Sequence, residues 1–290
     1  MGFTLIKGHF AAVGFQPDGD SVKFKATNPN LFKKLTTDQG KQGIVKLNKN
    51  GLAQLRIEGI DALETHYLAG TQTHQHWNLA DAARHHLLNH LGFTGVQWGK
   101  AGKEITGVNQ DNLPGYILTK KVDNNQYGRP VAFVFKGTTP LKDGADVFLD
   151  VTLLKKSLNY EMMKAGHAYP MYYKNLYYDL RNALTAALKE ARQARRGVWS
   201  ADVTNKGVTI NTAANGQDVA MFPKLFRRLM EHINKNKKPI STFADFLEKQ
   251  NERLFVLGKF HEVNFGDIVE VKNKKLRLTE KPENLIFMPK

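Results

Sequence analysis

The chain has 290 residues, room for one large domain or two small ones, and carries 42 Lys and Arg against 27 Asp and Glu, a formal net charge of +15. That surplus favours polyanionic partners, nucleic acid first and anionic membrane second. No cysteine is present, which excludes disulfides, thiolate metal sites and cysteine nucleophiles.

Thr4 to Phe10 reads as a strand, and Gln16-Pro17-Asp18-Gly19-Asp20 is a turn signal before the alternating Ser21 to Lys25. The first fifteen residues have no basic segment leading into an apolar run. They therefore read as a strand, and the expected compartment is the cytoplasm; removal of a signal beforehand would instead mean a secreted or periplasmic protein. Ile44 to Leu47 and Ala53 to Ile60 continue the β pattern around the turn at Asn48-Lys49-Asn50-Gly51. From Asn78, an N-cap candidate, Leu79, Ala82, Ala83, Leu87 and Leu91 fall at helical spacing, with Gly92 as the stop. Gly92 to Asn112 is aperiodic and reads as a loop. Tyr116 to Lys121 and Val131 to Phe135 read as strands, Leu158 to Lys164 as a short helix, and Leu176 to Arg195 as a long one.

Residues 203–216, rich in Asn, Thr, Gly and Ala, read as a linker between residues 1–202 and a C-terminal domain, 217–290. In that last part Pro223 to Asn234 places Leu225, Phe226, Leu229, Met230 and Ile233 on one helical stripe. Ser241 to Glu248 is a second helix, and Asp267 to Lys272 and Lys275 to Thr279 are short strands. Residues 203–290 hold 16 Lys and Arg against 10 Asp and Glu, net +6, and the first 202 hold 26 against 17, net +9. Both parts suit a polyanion. No apolar run approaches the roughly 18 residues of a membrane-spanning helix.

Six histidines, His66, His74, His76, His85, His86 and His90, lie close together, and His86 and His90 have a metal-ligand spacing on a helix. No His-Glu-x-x-His arrangement accompanies them, so they read as solvated or ion-paired. Three other segments carry the chemistry: Asp18-Gly19-Asp20-Ser21-Val22, then Arg56-Ile57-Glu58-Gly59-Ile60-Asp61-Ala62-Leu63-Glu64, then Tyr127-Gly128-Arg129-Pro130. Each alone reads as a turn or a solvated charged face. In this order and spacing they resemble the staphylococcal nuclease-like family, whose pattern is Asp-Gly-Asp-Thr, Arg, Asp-Thr-Pro-Glu and Tyr-Gly-Arg. Asn159 to Gly166 with Ala168, and the helix closing on Gly197-Val198-Trp199-Ser200, extend the resemblance over about residues 3–202.

The resemblance implies an α+β fold: an OB-type five-stranded β-barrel with three packed helices, followed here by a smaller C-terminal α/β extension of unknown fold. It implies a calcium-dependent, sugar-nonspecific endonuclease that cleaves DNA and RNA, preferring single-stranded or flexible stretches, and leaves 3′-phosphate ends. Asp20, Asp61 and the backbone carbonyl of Ala62 are then the calcium ligands, hard oxygens suited to a hard cation. Arg56 and Arg129 grip the scissile phosphate with permanently charged, bidentate guanidinium groups. Glu64 orients or deprotonates the attacking water, and Tyr127 and Tyr172 line the nucleotide pocket. Three positions depart from the pattern: Ala62 for Thr, Leu63 for Pro, and Gln126 for a lysine. The alternative is a noncatalytic nucleic-acid-binding scaffold, as in relatives that have lost the acids or arginines. Asp20, Arg56, Asp61, Glu64 and Arg129 are all present, which favours the enzyme. The C-terminal part is expected to bind a protein partner or to tether the chain to DNA.

Overall fold

The computed structural model describes residues 2–100, 102–124, 126–259 and 261–289. They form two compact units, Met1–Glu58 with Arg84–Met162, and Gly59–Ala83 with Met163–Lys290.

The first unit is built on five strands: β1 (Phe3–Ala11), β2 (Ser21–Ala26), β3 (Ala53–Ile57), β4 (Leu113–Val122) and β5 (Pro130–Lys136). Antiparallel pairing joins β1 to β2, β2 to β3, β1 to β4 and β4 to β5, and a parallel pairing of β3 with β5 closes the ring. This is the closed five-stranded barrel of the OB type. The period-2 pattern read from the sequence sets its inside and outside. In β3, Leu55 and Ile57 are buried and Gln54 and Arg56 face outward. Phe10, Phe24, Ile117 and Phe133 fill the interior without exposed surface, and the Phe10 and Phe24 rings lie 5.3 Å apart.

Some short segments differ from the sequence reading. Ile44 to Leu47 forms no strand; only Leu47 bridges, to Ala53. The expected loop after Gly92 contains a small ribbon, Gln97–Trp98 against Ile105–Gly107. Helix α1 (Trp77–Leu91) begins one residue before the expected cap at Asn78 and ends at Gly92, whose φ of 104° favours glycine.

In the second unit, Gly59–Asp61 pairs antiparallel with Tyr169–Tyr173, which pairs in parallel with Leu285–Phe287; that strand in turn pairs with Arg253–Val256. Helix α2 (Leu158–Lys164) leads from the first unit to the second. The second unit contains α3 (Tyr178–Gln193), α4 (Pro223–Met230) and α5 (Phe243–Gln250). Leu180, Leu184, Ala187, Leu188 and Ala191 form the buried stripe of α3, as their spacing requires. The α4 helix is shorter than expected and passes into a π-helical turn at Glu231–Lys235.

Residues 203–216 are not a bare tether. Val208–Thr209 pairs with Lys275–Leu278, and the buried Thr204 hydroxyl accepts from the Phe222 amide at 2.9 Å. The compact units therefore do not divide where the expected boundary after residue 202 lies. No helix among the described residues is long and apolar enough to cross a membrane.

The stretch Ala53 to Ile60, read as one strand, breaks at Gly59. Its φ of +79° belongs to the left-handed region, and an added Cβ would lie 2.9 Å from Leu184 Cδ1. Here the chain leaves the barrel sheet and joins the second sheet, carrying Asp61 with it. Gly59→Ala is expected to cost about 1–2 kcal/mol for the left-handed backbone alone, with the displacement of Leu184 added. A urea unfolding midpoint unchanged from wild type would contradict this.

Candidate active site

In the first unit the strand register gathers three expected site residues. Arg56 stands across from Ser21 on one side and Val131 on the other. Asp20 directly precedes Ser21, and its carbonyl accepts from the Ile57 amide at 3.2 Å. Arg129 lies two residues before Val131. Neighbouring strands lie only about 4.7–4.9 Å apart, so the start of β2, the end of β3 and the entry to β5 share one barrel rim. Asp20, Arg56 and Arg129 are all half-buried there.

The loop before β5 holds Arg129 in place. Its backbone amide and Nε donate to the two carboxylate oxygens of Asp123, at 3.0 and 2.7 Å, and its guanidinium lies 5.3 Å from the Tyr127 ring centroid. Tyr127 is exposed, as a base-stacking platform requires. Gly128 between them has a φ of +63°, and a Cβ there would meet the Ile44 carbonyl oxygen at 2.6 Å. The glycine of this Tyr-Gly-Arg is therefore fixed by backbone geometry. Behind the rim, the fully buried Asn159 side chain donates to the Glu58 and Ala132 carbonyls and accepts from the Val134 amide. It ties the end of β3 to β5. Lys121, also buried, pairs with Glu58 at 3.4 Å and Asp38 at 3.3 Å.

The second unit holds the other expected residues. Asp61 and Ala62 are buried at the end of the Gly59–Asp61 strand, and Glu64 lies in the loop beyond. Fully buried Gln75 fixes that loop: its Oε1 accepts from the Glu64 amide, and its own amide donates to the Glu64 carbonyl. Its Nε2 donates to the Met221 carbonyl at 2.8 Å, just ahead of α4.

A residue outside the three motifs meets these two acids within the second unit. Arg227 of α4 donates from Nη1 to Asp61 Oδ1 at 3.1 Å, from Nη2 to Asp61 Oδ2 at 2.8 Å, and from Nη1 to Glu64 Oε1. Burial alone lowers the Arg227 pKa, but the Asp61 and Glu64 carboxylates outweigh it and hold the guanidinium well above its usual range. The neighbouring Arg228 binds Glu252 and Glu231 instead. The α4 stripe of apolar residues was legible in the sequence, but nothing local marks which arginine on its polar side meets a carboxylate 166 residues earlier.

Tyr172, expected to line the nucleotide pocket, is a core residue. It has no exposed surface, its hydroxyl lies 2.9 Å from Thr185 Oγ1, and burial pushes its pKa up. A base cannot stack on it in this arrangement. Tyr169, on the same strand, is likewise buried against Trp199 and Phe222.

A family model described as staphylococcal nuclease homologue matches residues 54–201, just over half of the chain. The chain belongs to this family. The match takes in Arg56, Asp61, Ala62, Glu64, Tyr127, Arg129 and Tyr172, and leaves Asp20 and the C-terminal segment with Arg227 outside it. No curated protein matches the chain in sequence.

In this nuclease homologue the donor chemistry suits a hard cation, since Asp20, Asp61 and Glu64 offer carboxylate oxygens. The arrangement at Asp61 does not. Both of its oxygens, and one of Glu64, accept from Arg227. Calcium would need those same oxygens at about 2.3–2.6 Å, against the positive charge already bonded to them. As placed, the Asp61–Glu64 pair fits a guanidinium and not a calcium ion. The histidines do not supply a metal centre either: His86 faces Glu161 at 3.5 Å and His85 packs on Trp98. Among the described residues no group of three or more His, Cys, Asp or Glu side chains is arranged to hold a metal.

Proposed function

We propose that this nuclease homologue hydrolyses phosphodiester bonds in both DNA and RNA, as a sugar-nonspecific endonuclease leaving 3′-phosphate ends. The observation that carries the proposal is the register placing Arg56 beside the turn of Asp20 and beside the strand entered from Arg129. A phosphodiester is a shielded anion, so water attacks only when the nonbridging oxygens are neutralised and the nucleophile is oriented. Arg56 and Arg129 are the phosphate-gripping groups, each a rigid fork that matches two phosphate oxygens. The bond from Arg129 Nε to Asp123 orients that fork. Glu64 is the base that takes the proton of the attacking water, and exposed Tyr127 is the stacking surface for a base. Calcium is the cation that the resemblance implies, and Asp20, Asp61 and the Ala62 carbonyl are its proposed ligands. The Arg227 contacts stand against that assignment at Asp61.

Those contacts also favour a second reading, a noncatalytic module that binds nucleic acid while Arg227 keeps Asp61 and Glu64 neutralised. Labelled single-stranded DNA and RNA, incubated with calcium, magnesium or EDTA, separate the two. Cleavage of both polymers in calcium, with 3′-phosphate products, supports the enzyme; tight binding without cleavage in any of the three supports the module.

Binding itself is expected to be electrostatic. With a net charge of +15, affinity of the Glu64→Gln variant for an oligonucleotide should fall linearly with salt on logarithmic axes and depend little on sequence. Fluorescence titrations with two unrelated oligonucleotides check this. A preference for one of them that persists across salt concentrations would require base readout and contradict the expectation.

A further inference from the structure

We propose that Arg227 and a divalent cation are mutually exclusive occupants of the Asp61–Glu64 carboxylate pair, so that one side chain of the C-terminal segment sets how much calcium the protein needs. The proposal rests on the nuclease reading only in naming calcium as the competing cation. Three observations carry it. The guanidinium engages both oxygens of Asp61 and one of Glu64, so a second cation on this pair would have to share oxygens already bonded to a fixed positive charge. A calcium ion and a guanidinium on the same oxygens would also repel each other at a separation where little water screens them. And the Asp61 and Glu64 side chains are only 5% and 15% exposed, so one cation must be present to balance them when ionised.

The exchange needs only a side-chain rotation. Helix α4 stays in place, because Leu225, Phe226, Leu229 and Met230 are buried to 1% exposure or less. Gln75 links the loop of Glu64 to Met221, and the Tyr67 hydroxyl donates to Glu231 at 2.7 Å, so both ends of the helix are held. Arg227 is 23% exposed, which gives its guanidinium a path into water when calcium takes the acids. Occupancy by Arg227 orients the two carboxylates in the metal-free protein. Its displacement is the free-energy cost of loading the ion, and linkage requires that whatever weakens Arg227 binding strengthens calcium binding.

The test is calorimetric titration of the full chain with calcium chloride, without nucleic acid, for wild type, Arg227→Gln, Arg227→Lys and Asp61→Asn. Arg227→Gln is expected to bind calcium about 10- to 100-fold more tightly than wild type. Arg227→Lys, which keeps charge but loses the bidentate fork, should fall between them, and it keeps the test decisive if the glutamine variant does not fold. Methylguanidinium added to Arg227→Gln should weaken its calcium binding and leave wild type unaffected. Equal calcium affinity in wild type and the folded Arg227 variants overturns the proposal, as does calcium binding unaffected by Asp61→Asn. Because the readout is binding, a protein that shows these affinities and cuts nothing loses the nuclease reading and retains this one.

Discussion

Arg56→Lys is expected to lower turnover by about 10²–10³-fold, the usual loss when one oriented donor to a developing anion is removed. The substitution keeps the positive charge, so electrostatic attraction of the substrate survives while the two-pronged grip on the phosphate does not. Stability should change little. Arg56 points outward from β3, and the packing of that strand is carried by Leu55 and Ile57, which are 0% and 1% exposed. Turnover and melting temperature measured on the same preparation check the assignment. Turnover near wild type would remove Arg56 from the chemistry, and a matched loss of folding would make it structural. Arg129→Lys is a less clean probe, because Arg129 Nε also closes its own loop onto Asp123.

Truncation after Asp202 is expected to unfold the second unit. It removes Phe222, Leu225, Phe226, Leu229, Phe265 and Phe287, none more than 2% exposed, and the strand Leu285–Phe287 that pairs with Tyr169–Tyr173. The rings of Tyr169 and Tyr173 lose their partners Phe222 and Phe287. The ion pair from Arg192 to Glu283 goes as well. Loss of a single buried phenylalanine side chain typically costs about 3–5 kcal/mol, and a whole domain holds only about 5–15 kcal/mol. Amide hydrogen exchange on residues 1–202 should therefore show protection lost across 59–83 and 163–202. Native protection in those segments would show that they fold without the C-terminal part.

The barrel was legible in the sequence because its signals are local. Alternation in Ser21 to Lys25 and Ala53 to Ile57, with turn residues between strands, sets both the strands and their inward faces. The strand Tyr169–Tyr173 was not read as one. Its first four residues are buried, so it lacks alternation, and Pro170 argues against a strand until its place in the sheet is known. The break at Gly59 hides inside an otherwise regular β pattern, because only the positive φ distinguishes it. The boundary after residue 202 was drawn from composition, yet Thr204 and Phe222 are bonded and packed within the second unit. Local composition does not report such long-range pairing.

The site divides in the same way. Asp20, Arg56, Asp61, Glu64, Tyr127 and Arg129 stand in short motifs of recognisable order, and Gly128 and Asn159 have backbone duties that account for their presence. Tyr172 was misplaced because an aromatic residue near a motif looks the same in sequence whether it faces a ligand or the core. Arg227 was invisible because its function lies in a contact spanning most of the chain, and one arginine on a polar helix face resembles its neighbour Arg228.

Nuclease activity through Glu64 is tested by cleavage of one end-labelled single-stranded oligonucleotide by wild type and Glu64→Gln, side by side, at saturating calcium. Wild type is expected to cut the strand to 3′-phosphate products, while Glu64→Gln binds it equally well and leaves it intact. Cleavage at equal rates by both proteins, or an uncut strand bound by wild type, would contradict it.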